Sequence, residues 1–247
     1  MQGQFIICPC NNHYCCSKGK SQIYCDMENK NLFSKVMTSV IFRIIGYGCL
    51  ILLTNYIILK DAGVAVQDKF GEYSFVESAQ SIYLLLSIFF ITFLYYKFKD
   101  FKPLLLLVGG FLLVIFIREQ DFFLDKIYHG AWLPFAMIVT ILTLYFVFKK
   151  WNRLKDNILE YVKTPSFGII ICSLMEIFIF SRLFGNKNVW YSFFNTETFT
   201  PLQHAVKNAA EEGSELFGYT LILISLFEFA HYLITKNKQI AGKKVVL

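Results

Sequence analysis

Apolar residues gather into six runs along the chain, at about 39–59, 78–97, 103–118, 131–149, 166–185 and 216–235. Each is near the length that crosses a ~30 Å hydrocarbon core as a helix. Polar residues collect in the short connections between the runs, none of which holds enough chain for a soluble core. The pattern predicts an all-α integral membrane protein, a bundle of six transmembrane helices occupying 37–236. Residues 1–36 read as a Cys-rich, disordered cytoplasmic tail, and 237–247 as a basic cytoplasmic tail.

Composition agrees, since only 17% of residues are charged and 55% are hydrophobic, against roughly 25% charged in soluble domains. The net charge of +6 would suit nucleic acid if it were clustered, but its distribution points elsewhere. With the N-terminus in the cytoplasm, sixteen Lys and Arg fall in inside segments and seven in outside segments, with Arg43 inside the first run. That bias follows the positive-inside rule and predicts both termini in the cytoplasm. No nucleic-acid partner is expected. The expected location is a multi-pass position in a membrane, the cell or inner membrane if the source is bacterial. The first 36 residues lack an apolar run of signal-peptide length, so the first span is expected to act as an uncleaved anchor.

The start of the chain, "CPCNNHYCC", sets Cys8, Cys10, Cys15 and Cys16 around His13, with Cys25 beyond. Thiolates and imidazole at this density can hold Zn²⁺ or Cu(I), but the spacing is not that of a finger or ribbon. A disordered tail is the simpler reading, or a stretch upstream of a start at Met27 or Met37. Two helix starts are marked more sharply. Thr164-Pro165 opens the fifth span with a cap and a proline at the first helical position. Thr200-Pro201 does the same for the sixth, where Gln203 completes a capping box. The second of these predicts one helix over about 201–235, too long to lie wholly within a bilayer. Its first half, "PLQHAVKNAAEEGSE", is expected to stand outside, lie along the surface, or bend near Gly213 or Gly218.

The candidate chemistry collects at one face. Three spans bring acidic residues to the predicted non-cytoplasmic side: the second through Glu72, Glu77 and Gln80, the third through "REQDFFLDKIYHG", and the sixth through His204, Glu211, Glu212 and Glu215. Asp121, Asp125 and His129 follow at i, i+4, i+8, which in a helix puts them on one face with Arg118. Glu211 and Glu215 repeat the i, i+4 spacing, where like charges repel by a few tenths of a kcal/mol. Something must offset that repulsion: a cation, a shared proton, or a nearby Arg or Lys. A divalent metal (Zn, Mn or Fe, or Ca²⁺ without the histidines) would draw on Asp125, His129, His204, Glu211 and Glu215. Glu77, Glu119, Asp121 and Glu212 would then be the acid/base candidates. Ion pairs of Arg118 with Asp121 and of Lys207 with Glu211 would instead make the cluster structural.

Three charges lie deeper, where each costs at least ~2.5–3.5 kcal/mol on insertion scales. Arg43 and Glu228 fall at similar depth and are expected to pair. Glu176 sits near mid-membrane, protonated or paired with Arg182 further along its helix. Glu211-Glu212 with Phe227 and His231 resembles part of the EExxxR and FxxxH pattern of CAAX-protease-like intramembrane peptidases. The Arg is missing, however, and His231 lies on the same helix. The HxxxH pair of zinc-dependent membrane hydrolases is also absent, so no family follows. The sequence therefore suggests a polar pocket at the non-cytoplasmic face that acts as a metal-dependent hydrolase or transferase on a lipid or lipid-linked substrate. Proton or cation transport is the alternative, and a structural or accessory subunit the third reading.

Overall fold

The computed structural model describes residues 20–63, 74–126 and 128–245. The cysteines and histidine at 8–16, and Glu72, lie outside them. The described residues form helices and connecting turns, without a strand. They divide into two units, 1–49 and 50–247. In the first, helix α1 (Lys20–Ala62) is already under way, so 20–36 is helical where the sequence suggested part of a disordered tail. Arg43, on this stretch, is half-buried.

The second unit takes in the end of α1 and then α2 (Phe75–Lys97), α3 (Lys102–Glu119) and a single turn α4 (Asp121–Leu124). After these come α5 (Trp132–Phe148), α6 (Trp151–Tyr161) and α7 (Pro165–Met175). A π-helical turn, Glu176–Phe180, joins α7 to α8 (Ser181–Gly185); α9 (Lys187–Phe194) and α10 (Pro201–Val245) complete the chain. Among the described residues, five helical stretches are long and apolar enough to cross a membrane, or six if α5 and α6, bent by 97°, count as one broken span.

The long last helix is the post against which α2, α7, the π turn and α8 pack, while α5 packs on α3. Leu216, Tyr219, Ile222, Leu226, Phe229 and Leu233 along it are all buried. Contacts fix the directions of its neighbours. Glu119 at the end of α3 reaches Tyr219, and Phe101 just before α3 meets Phe229, so α3 runs antiparallel to α10. Likewise Ser166 meets Ser225 and Ser181 meets Glu215, so α7 and α8 run antiparallel to it too. The chain thus leaves α3 at one end of the post and starts α7 towards the other. The traverse between is made by α5, whose side chains are exposed on nearly every side and suit a lipid solvent.

Lipid tails compete with apolar side chains on equal terms, so close approach and polar bonds must hold such helices together. Glycine supplies the approach: a β-carbon at Gly110 would overlap Thr143 of α5, and one at Gly218 would overlap Ile177. Hydroxyls supply the bonds, each worth about 0.6 kcal/mol in a membrane. Thr54 of α1 lies 2.8 Å from Thr220, Ser173 donates to the Gly218 carbonyl at 2.8 Å, and Ser166 and Ser225 each donate to the other's carbonyl.

Both predicted helix starts are present. Gln203 N–H donates to Thr200 Oγ1 at 3.3 Å and Thr200 N–H to Gln203 Oε1 at 2.8 Å, closing the capping box. Thr164 occupies the cap position before Pro165, but its hydroxyl donates back to Tyr161 O at 2.7 Å instead of capping. Of the three courses open to the first half of the last helix, a break at glycine is not taken: α10 passes through Gly213 and Gly218 unbroken, and Gly218 serves close packing. It also runs on through 237–245, which the sequence marked as tail.

A cap the sequence did not signal joins α1 to α2. Asp61, 1% exposed, accepts from the Val76 N–H at 3.2 Å and the Phe75 N–H at 3.4 Å, while Ser74 takes the Glu77 N–H at 3.1 Å. The first turn of a helix has unpaired N–H donors that a carboxylate stabilises. Replacing Asp61 with alanine is expected to cost about 1–2 kcal/mol, read as a lower melting temperature in detergent; an unchanged melt would show that α2 is held without this cap.

Candidate functional site

At the end of the bundle where α2 begins and α3 ends, side chains from four segments close into one polar cluster. Its backbone is a double row on α10. Lys207, Glu211 and Glu215 follow at i, i+4, i+8, and beside them Glu212 and Tyr219 lie seven apart, so both rows face the bundle. Lys207 Nζ lies 2.5 Å from Glu211 Oε2, the ion pair the spacing predicted. Across from this row, Arg182 of α8 spreads its guanidinium over two carboxylates. One nitrogen lies 3.5 Å from Glu211 Oε1 and the other contacts Glu215 Oε1. Ser181 Oγ stands 2.9 Å from the same Glu215 oxygen. Repulsion between Glu211 and Glu215 is therefore offset by an arginine from another helix together with Lys207.

The second row turns towards α2 and α3. Gln80, 1% exposed, donates through Nε2 to Glu212 Oε2 at 2.9 Å and to the Glu212 carbonyl at 3.1 Å. Tyr219 donates its hydroxyl to Glu119 Oε1 at 2.7 Å, and Arg118 Nη2 stands 3.9 Å from that oxygen. The charges of Glu215, Glu119 and Glu211 all act on Glu212, whose bonded partner is a neutral amide. Directly after Glu119, Gln120 bonds Ser81 at 2.8 Å and ties the end of α3 to the start of α2.

The π turn brings Arg182 into register. Ser166, Ser173 and Ser181 are all fully buried along the face that meets α10. The first two are seven apart, about two α-helical turns, but the next step is eight and would rotate Ser181 off that face. Between them the Ser181 N–H bonds Glu176 O, a wider turn that takes up the additional residue. Ser181 and Arg182 then meet Glu215.

The acid/base candidates divide. Glu119 and Glu212 belong to the cluster. Asp121 is exposed on α4 within electrostatic reach of Glu119, and Glu77 is half-buried in the first turn of α2. The proposed metal ligands do not come together as one set: Asp125 meets His129, and Glu211 lies near Glu215, in separate places. Residues 121–129 are not one helix: α3 stops at Glu119, α4 is a single turn, and Gly130 turns the chain with φ of 81°. Asp125 instead bonds the Gly130 N–H and His129 Nδ1, each at 2.9 Å, and the His129 side chain is 99% exposed. His204 stands edge-on to the Phe199 ring, 5.0 Å away. Glu211 and Glu215 are taken by Lys207 and Arg182. Among the described residues no group of three His, Cys, Asp or Glu side chains is placed to hold a metal ion.

Arg118 lies by Glu119, and Arg182 reaches outward to Glu211 and Glu215 rather than back to Glu176. Glu176 heads the π turn, half-buried. Glu228 is half-buried on α10. The members that sequence reasoning left out are Ser181 and Tyr219, together with the role of Arg182. Tyr219 carried a signal, being four residues after Glu215 on an acidic face; the other two depend on the π turn and carried none.

No family model matches the chain, and no curated protein or solved structure matches it significantly.

Proposed function

We propose that the chain is a six-span membrane protein with both termini in the cytoplasm, and that it carries protons or monovalent cations through the Glu212 cluster. Six crossings are supported by the traverse of α5, and the orientation by the Lys and Arg bias. The observation that carries the functional reading is a charge count. Glu119, Glu211, Glu212 and Glu215 are set among Arg118, Arg182 and Lys207, four carboxylates to three cations. Ionisable groups inside membrane helices mark ion and proton paths. A cluster one positive charge short has room for one exchangeable ion, and Glu212, held by an amide and not by a cation, is where it binds. Glu176, deeper on the helix that supplies Arg182, is the next step inward.

Proteoliposomes holding a pH-sensitive dye test this directly. The parent protein dissipates an imposed pH gradient; Glu212→Gln abolishes the flux and Glu176→Gln slows it, while Glu197→Gln, exposed and outside the cluster, leaves it unchanged. Flux that follows a sodium gradient but not a pH gradient identifies the ion as the metal cation. A parent without flux of either kind, or flux untouched by Glu212→Gln, overturns the reading and leaves the cluster as a structural tie between helices.

A further inference from the structure

The opposite end of the bundle carries a surface that the ion site does not use. After the bend that follows α5, α6 presents three sectors. Leu154, Asn157 and Tyr161 face inward and are buried, and Tyr161 packs edge-on against Phe229 of α10. Trp151, Leu159 and Val162 form an apolar edge, 45%, 64% and 47% exposed. The remaining arc is polar, with Arg153, Asp156 and Lys163 exposed, and Lys155 reaches out from the apolar edge itself. Exposed Lys149 and Lys150 fill the turn just before the helix.

A helix lying at 97° to an apolar one, with an apolar flank and a cationic arc, is built for the plane where headgroups meet acyl chains. Residues Phe148 to Arg153 line a shallow pocket open to the surroundings, with the Phe148 and Trp151 rings 5.3 Å apart at its edge. The acidic neighbours leave most of this charge unmatched. Asp100 stands 3.8 Å from Arg153, but both are exposed, which makes a weak pair. Asp156 lies on the arc, and Glu160 is bonded to Tyr232 and Lys236.

We propose that the α5–α6 turn and α6 retain an anionic glycerophospholipid. Its phosphate sits in the pocket among Lys149, Lys150 and Arg153, and its acyl chains lie along Phe148, Trp151 and Leu159. Charge complementarity selects an acidic headgroup over a zwitterionic one, and the apolar edge selects a lipid over free phosphate. The site is independent of the ion cluster.

Native mass spectrometry of the full chain, exchanged into micelles with phosphatidylglycerol or phosphatidylcholine, reads the retained lipid. Phosphatidylglycerol is expected to stay bound in preference to phosphatidylcholine. Lys149→Gln with Lys150→Gln should weaken its retention roughly twenty-five-fold, from about one factor of five per charge. Arginine at both positions should preserve it. A charge-matched pair at the other end, Lys126→Gln with Lys187→Gln, should leave it unchanged. Equal retention of the two lipids overturns the proposal, as does an equal loss in the control pair, which would reduce the effect to general surface charge. Competition by inorganic phosphate alone, with no dependence on the acyl chains, would assign the pocket to a free anion and overturn it too.

Discussion

Arg182→Leu is expected to destabilise the protein by about 3 kcal/mol, near the lower end for breaking a buried charge pair. The guanidinium spans Glu211 and Glu215, and Glu215 has only 5% of its side chain exposed. Without the arginine, Glu215 keeps the Ser181 hydroxyl as a bonded partner and only the more distant charge of Arg118, while staying nearly buried. The lower end of the range applies because Arg182 is itself 46% exposed and part of its charge is already solvated. Arg182→Lys should recover little, since a single ammonium cannot reach two carboxylates in the way a planar fork does. The decisive variant is Arg182→Leu with Glu215→Gln. Removing the stranded charge should restore a large part of the loss, measured as unfolding free energy in mixed micelles. A double variant that unfolds as readily as Arg182→Leu would mean that packing, not the ion pair, accounts for the effect.

Gly218→Ala should be almost as damaging, at about 2–3 kcal/mol, the upper range for overpacking. The new β-carbon would overlap Ile177 Cγ1 and approach the Ser173 carbonyl at 3.4 Å. Ile177 is fully buried within the π turn and has nowhere to move. The helices must part instead, which lengthens the 2.8 Å bond from Ser173 to the Gly218 carbonyl and loosens the contact that holds Arg182 over Glu215. Ile177→Ala in the same chain makes room and should give a double variant more stable than additivity predicts. Gly168→Ala is the control. Nothing lies within 4 Å of its would-be β-carbon, so the change should be neutral or stabilise by up to about 1 kcal/mol. Equal losses at Gly168 and Gly218 would rule out the contact with Ile177 as the cause.

The two helices that meet at Gly218 also explain how far the site was legible. The acidic row on α10 could be read from spacing, because residues of one helix keep their angular order wherever the helix packs. Lys207 with Glu211, and the capping box of Thr200 and Gln203, were legible for the same local reason. The run from Asp121 to His129 misled, since equal spacing implies a shared face only while the helix continues, and the helix stops at Glu119. An inward pairing of Arg182 with Glu176 stays open in the sequence because nothing in a linear pattern announces a π turn. That turn rotates everything after it and directs Arg182 to a different helix.

Hydrophobic run lengths determined, by themselves, a multi-helix chain suited to a membrane and the helix ends near which its acids lie. Those properties follow from transfer of single segments between water and hydrocarbon, which depends on local composition. Only the tertiary structure decided which acids share a site. Glu119, Glu212 and Glu215 come together through Gln80, Tyr219, Ser181 and Arg182, side chains from separate helices whose rotation and depth are set by close contacts such as Gly218 against Ile177. Such contacts fix angles between segments, a quantity that the order of residues within any one segment does not carry.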